Sequence, residues 1–152
     1  MTVWSVRIAF LLYVLALAAW LTRRPVAARY AWTAGFCFYV VHVAAAFSAF
    51  YHWSHVAAYR ETARQTSDLF GIHWGGGLYF NYLFTAVWAG DVVWLWMNRP
   101  RAKWITATVQ AFMAFMFFNG VVVFASRWIR WSGVAAVIAL GLLWRFYSTQ
   151  RR

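Results

Sequence analysis

Apolar residues run along this chain in five long blocks separated by short polar breaks, a pattern that predicts helices long enough to cross a lipid bilayer. A spanning helix needs about 20 predominantly apolar residues, with a range of roughly 17–25. The blocks fall at about residues 3–21, 30–53, 74–97, 104–125 and 132–147. The last is the shortest; were it to lie in the interface, four spans would remain and both termini would share one side. The breaks around 23–29, 98–103 and 127–131 are short, and both prolines, Pro25 and Pro100, fall in them, where a missing backbone N–H does least harm. Only the 54–73 connection is long enough for structure of its own, and it reads as an outer helical loop. The expected fold is an all-α integral membrane protein: one transmembrane domain over residues 1–152, a compact bundle of about five helices.

The first block has features of a signal peptide, with Arg7 ahead of an apolar stretch and small residues at Ala16, Ala18 and Ala19. It continues through Trp20 and Leu21 to a stop at Arg23 and Arg24, longer than the roughly 7–15 apolar residues of a signal peptide. It is expected to remain as the first span.

Composition strengthens the membrane reading. Hydrophobic residues make up 64% of the 152 positions, aromatic residues 22% and charged residues 11%, against roughly 45–50% apolar and about 25% charged in ordinary soluble domains. A small fold buries the smallest fraction of its chain and cannot hide so much apolar surface. A water-soluble enzyme and a disordered basic tail are both excluded. Trp4, Trp20, Trp32, Trp53, Trp74, Trp96, Trp104 and Trp131 cluster near the expected span ends, as interfacial aromatic belts do.

The charge balance, Lys+Arg 14 against Asp+Glu 3 for a net +11, would suggest a nucleic-acid partner on a soluble protein. Here the cations sit in short clusters between apolar runs, and no continuous basic face can be drawn, so no nucleic-acid partner is expected. With five spans, Arg23, Arg24, Arg29, Arg99, Arg101, Lys103, Arg145, Arg151 and Arg152 share one side. Arg60, Arg64, Arg127 and Arg130 share the other, partly offset by Glu61 and Asp68. The positive-inside rule then places the N-terminus outside, the C-terminus inside and the 54–73 loop outside. The expected setting is a multi-pass position in a membrane, with a bacterial inner membrane as the working assignment. The expected partners are the bilayer and other membrane subunits or further copies of the chain. The lone Cys37 lies within an apolar block and allows no intramolecular disulfide.

Candidate chemistry is concentrated between the second and third blocks. All four histidines lie between positions 42 and 73, and two of the three acids between 61 and 68. If the second span continues as a helix beyond the membrane surface, His52, His55, Tyr59, Thr62 and Thr66 share a face. Glu61–Arg64 and Arg64–Asp68 are then spaced for local ion pairs, and Gly71 is a helix stop. A tight return brings His73 back toward the level of His52. His52, His55 and His73, with Glu61 or Asp68 as a further ligand, would suit Zn, Fe or Cu; two imidazoles facing each other would instead hold the iron of a haem b. The plain alternative is that these histidines hydrogen-bond backbone, lipid phosphate or one another at the interface, with no cofactor bound.

Within the spans, His42 falls near the middle of the second block, at a depth where an ionisable residue usually faces the bundle or a wet cavity. Helical winding places Gly77, Asn81, Trp88, Asp91 and Leu95 near one line of the third span. His42, Asn81, Asp91 and Asn119 of the fourth span are therefore candidates for one polar path. Asp91 reads equally as the inner partner of an arginine, Arg101 or Arg29. Gly75, Gly76 and Gly77 either let helices approach closely or make room for a flat cofactor. Arg7 would snorkel to headgroups or neutralise Asp68 or Glu61. Met113 and Met116 are soft Cu(I) candidates or core packing. The Walker loop, GxGxxG, GxSxG and HExxH patterns do not occur.

Four functions stay open on these residues. The leading expectation is a membrane subunit with a histidine-rich metal or haem site near its outer face, in a redox or metal-handling system. The others are a structural or assembly subunit without its own cofactor, a small transporter using His42 and Asp91, and a metal-dependent membrane enzyme.

Overall fold

The computed structural model describes residues 2–120 and scattered positions between 131 and 145. Among the described residues the chain is all helical, with five elements: α1 (Thr2–Leu21), α2 (Pro25–Ala49), α3 (His55–Phe70), α4 (Gly77–Met97) and α5 (Lys103–Phe118). The expected fifth span, 132–147, falls largely outside the described residues.

Each boundary has a local cause. After α1, Arg23 adopts a left-handed conformation with φ 59°; the Arg24 N–H reaches back to the Ala19 carbonyl at 2.8 Å and the Arg23 N–H to Trp20 at 3.1 Å. This double bond pattern closes a helix C-terminus. Pro25 then occupies the first position of α2, where its fixed φ suits a helix start. Asn98, one of the few residue types that tolerate φ near 51°, ends α4, and Pro100 follows.

Helix α2 starts earlier than the hydropathy pattern suggests and stops at Ala49. The chain then turns sharply, with His52 at φ 47° and Trp53 at φ 60°. The Trp53 N–H bonds the Phe47 carbonyl and the Ser54 N–H the Tyr51 carbonyl. The second span therefore does not continue as one helix past residue 50, which corrects the expected His52–Thr66 stripe: His52 sits in the turn, outside α3. Ser54 caps α3 by accepting from the Ala57 N–H at 3.2 Å, and Gly71, at φ 70°, stops it.

The core lies where α1, α2, α4 and α5 meet, and it is aromatic. Trp32, Trp88 and Met113 are fully buried. Tyr13 stacks on Phe117 at 3.9 Å, Tyr39 meets Phe84 edge-on at 4.9 Å, and the Trp32 and Trp88 rings lie 5.4 Å apart. Ala9, Ala16 and Gly35 keep the helices close enough for these rings to meet; a Cβ at Gly35 would press on Trp88 at 3.2 Å. Met113 and Met116 pack in this core. Trp20 and Trp32, expected in an interfacial belt, instead turn inward with ring centroids 5.0 Å apart. The belt rule fixes the level of a tryptophan along a span and not its rotation about the helix. Trp4, Trp53, Trp74, Trp96, Trp104 and Trp131 are exposed.

Among the described residues two segments, Trp4–Leu21 and Pro25–Ala49, are long and apolar enough to cross a membrane. Helix α4 has the length, but Asn81, Asp91 and its tryptophans lower its hydropathy. Helix α5, Lys103–Phe118, is a shorter apolar helix.

Candidate functional site

The three acids of the chain lie at the two ends of the bundle, each with an arginine partner. At the end that carries the α1–α2 and α4–α5 turns, Asp91 points inward from α4. Its side chain is 1% exposed, and it forms an ion pair with Arg101, itself 11% exposed. Arg101 also donates from Nε to the Thr106 hydroxyl at 3.0 Å. The second Asp91 oxygen, Oδ2, is buried without a partner among the described residues. Beside this pair, Arg29 donates to the Asn98 side-chain oxygen and lies over the Trp96 ring at 5.4 Å. The Trp96 indole N–H in turn reaches Thr33 at 3.0 Å. Of the two readings open for Asp91, the arginine partner is the one seen.

At the opposite end, α3 folds back against the start of α4. Gly75 and Gly76 are buried; a Cβ on Gly75 would collide with the Tyr59 carbonyl and ring, one on Gly76 with the Trp74 indole, and one on Gly77 would press on Thr62 at 3.1 Å. Gly75 and Gly77 therefore seat α3 closely, the helix-approach reading, while Gly76 makes room for Trp74. On α3, Glu61 accepts from Arg64 Nε at 3.0 Å and Nη2 at 2.6 Å, and Asp68 from Arg64 Nη1 at 3.1 Å. Both local ion pairs expected from spacing are present. The Arg64 guanidinium holds the Glu61 carboxyl below the usual carboxylate range, with Gln65 adding a further hydrogen bond.

The histidines find separate surroundings. His55 Nδ1 lies 3.0 Å from the Tyr82 hydroxyl, and its ring sits 5.8 Å from both Tyr79 and Tyr82. His52 is held in the left-handed turn, and His73 lies exposed in the 71–76 segment before α4. Glu61 and Asp68 are both engaged by Arg64. Among the described residues no group of three or more His, Cys, Asp or Glu is placed to hold a metal ion, so the proposed ligand set is not brought together. Tyr79 and Tyr82, the actual neighbours of His55, carried no signal in the sequence, because nothing in the local pattern links position 55 to position 82.

His42 is partly buried on α2, one turn beyond Tyr39. Asp91 lies one turn beyond Trp88 on α4, and the Tyr39 and Trp88 rings pack 5.6 Å apart. Two of the four residues expected along a polar path are thus set behind packed rings. Asn81 is exposed, which corrects its place in an inward seam; Leu78 and Phe84, one turn to either side of it, are buried. Asn119 bonds its own helix through the Phe115 carbonyl at 2.8 Å. Arg7, exposed, stacks over Trp4 at 5.2 Å and not on Glu61 or Asp68.

A further feature escaped the sequence pattern. The turn after α2 and the first half of α3 enclose an open depression of about 680 Å³, walled by Phe50, Tyr51, Arg60, Glu61, Arg64 and Gln65. No protein-family model, curated protein or solved structure matches the chain.

Proposed function

We propose that the chain is a multi-pass membrane protein that serves as a structural or assembly subunit of a membrane complex, with no cofactor of its own. Carrying this reading is the division between an interior whose one acid, Asp91, is matched to Arg101 and an exterior rich in large apolar side chains. Only 22% of the Trp4–Leu21 window and 17% of the α2 window are buried, whereas the core helix of a soluble domain would be mostly enclosed. Leu11, Leu15, Val41, Leu83 and Val93 are among the large apolar side chains that face outward, which favours lipid or protein over water as their surroundings.

The remaining spans follow from packing. Helix α4 runs beside α2, and its 21 residues correspond to about 30 Å at 1.5 Å per residue. A helix of that length packed along a spanning α2 crosses with it. The turns at one end carry Arg23, Arg24, Arg29, Arg99, Arg101 and Lys103, and α3 carries two of the three acids, Glu61 and Asp68, at the other. This bias supports an inner α1–α2 turn and an outer α3, and the five-span topology extends it through the apolar stretch 132–147.

Asn81 favours a protein neighbour. It is exposed on α4, next to the exposed apolar side chains Phe80 and Leu83; in an apolar setting a polar side chain of this kind commonly bonds across to another helix. Size analysis in a mild detergent, with absorption spectra and metal content taken on the same sample, tests the reading. A stable assembly larger than the single chain, loosened by Asn81→Leu, is expected. A monomer carrying a Soret band, or about one metal per chain lost in His55→Ala, would replace this reading with the histidine-centred one.

A further inference from the structure

The chain contains only three acidic side chains, and all three are already taken: Glu61 and Asp68 by Arg64, Asp91 by Arg101. Arg60, exposed on α3 one turn before Arg64, has no side-chain carboxylate left to pair with. It lines the depression between the 50–54 turn and α3 together with the aromatic residues Phe50 and Tyr51. Glu61 shares that wall, but its charge is answered by two bonds from Arg64 and one from Gln65.

We propose that this depression binds a phosphate ester, with Arg60 supplying the guanidinium that holds the phosphate. An arginine fork matches phosphate oxygens two at a time. The volume of about 680 Å³ lies within the roughly 300–1,000 Å³ of small-ligand sites. Phe50 and Tyr51 add aromatic surface and one hydroxyl to the lining, so the ligand has a phosphate and an apolar or glycerol-like portion. A phospholipid headgroup and a soluble phosphate ester share this chemistry. The lipid source rests on the membrane reading; the phosphate site itself does not.

The full-length protein in mild detergent is titrated with short-chain phosphatidic acid, with glycerol 3-phosphate and with diacylglycerol of the same acyl length, reading the thermal unfolding midpoint. Protection by phosphatidic acid alone identifies a lipid headgroup, and comparable protection by glycerol 3-phosphate identifies a soluble ester. In either case Arg60→Gln weakens the apparent affinity by about tenfold or more, the scale expected for losing a charged hydrogen bond. Arg23→Gln, at the far end of the bundle, leaves it unchanged. The proposal is overturned if diacylglycerol protects equally, if neither phosphate compound protects, or if Arg60→Gln and Arg23→Gln behave alike. Should the chain prove soluble without detergent, the membrane reading ends, while an Arg60-dependent response to glycerol 3-phosphate would still establish the phosphate site.

Discussion

The two ends of this bundle use the same chemical groups, arginine and carboxylate, in opposite ways. At one end Asp91 and Arg101 are enclosed among α4, the α4–α5 turn and α5, with Asp91 almost entirely inaccessible. At the other, Arg64 spans Glu61 and Asp68 on the open face of α3, with Arg64 and Asp68 side chains 63% and 62% exposed. Enclosure changes what a pair does. A buried charge deprived of its partner is strongly destabilising, because its desolvation is no longer offset; an exposed pair is screened by water and salt and contributes little. The enclosed pair therefore ties together two elements of the fold, and the exposed pairs dress a single helix.

The sharpest way to break this contrast is Asp91→Ala, which leaves Arg101 enclosed without a counterion and is expected to cost about 3–5 kcal/mol, read by thermal or denaturant unfolding in detergent. Replacing both members together, Asp91→Leu with Arg101→Met, recovers most of that loss. If the double variant is no better than the single, the pair is not what Asp91 is for.

A smaller effect is expected where α3 is seated. Gly75→Ala forces a methyl group into the Tyr59 backbone and costs about 1–3 kcal/mol, as overpacking does; limited proteolysis within α3 should accelerate with it. His52→Gly relieves a left-handed backbone at the turn and is expected to stabilise by about 0.5 kcal/mol, the strain relieved less the chain entropy added. Loss of stability together with loss of a bound metal would instead make His52 a ligand.

The least effect belongs to Glu61→Gln, whose unfolding midpoint should be hard to separate from the parent's. Because the folded Glu61 pKa lies below its unfolded value, the contribution is present above the unfolded pKa and fades as pH falls through the folded one. The small difference between parent and Glu61→Gln should thus vanish on acidification below the ordinary carboxylate range, and also in high salt.

How much of this was legible in the sequence depended on distance along the chain. Glu61–Arg64, Arg64–Asp68 and the Gly71 stop follow from three- and four-residue spacing and from glycine's tolerance of a left-handed turn. The Asp91–Arg101 pair was within reach because a short turn returns the chain beside its own helix end. The break at 50–54 was not legible, since Trp53 is a poor candidate for left-handed backbone and the apolar pattern runs up to it without interruption. The rotation of α4 was only partly readable: Trp88 and Asp91 face inward as the winding predicts, but Asn81 is exposed between the buried Leu78 and Phe84. His55–Tyr82 joins residues 27 positions apart, a contact set by how α3 folds back. The depression beside Arg60 arises from that same fold-back.

The central claim is that the apolar outer face of α2 lies within a membrane, and Cys37 reports on it directly. It is the only cysteine in the chain, exposed on the outside of α2 and more than ten residues from either helix end. Sealed vesicles containing the protein are treated with a charged, membrane-impermeant maleimide from either side, and then again after dissolution in SDS. The account predicts no labelling of Cys37 from either side and full labelling once the membrane is dissolved. Prompt labelling of folded protein in intact vesicles, or in buffer without detergent, would contradict it.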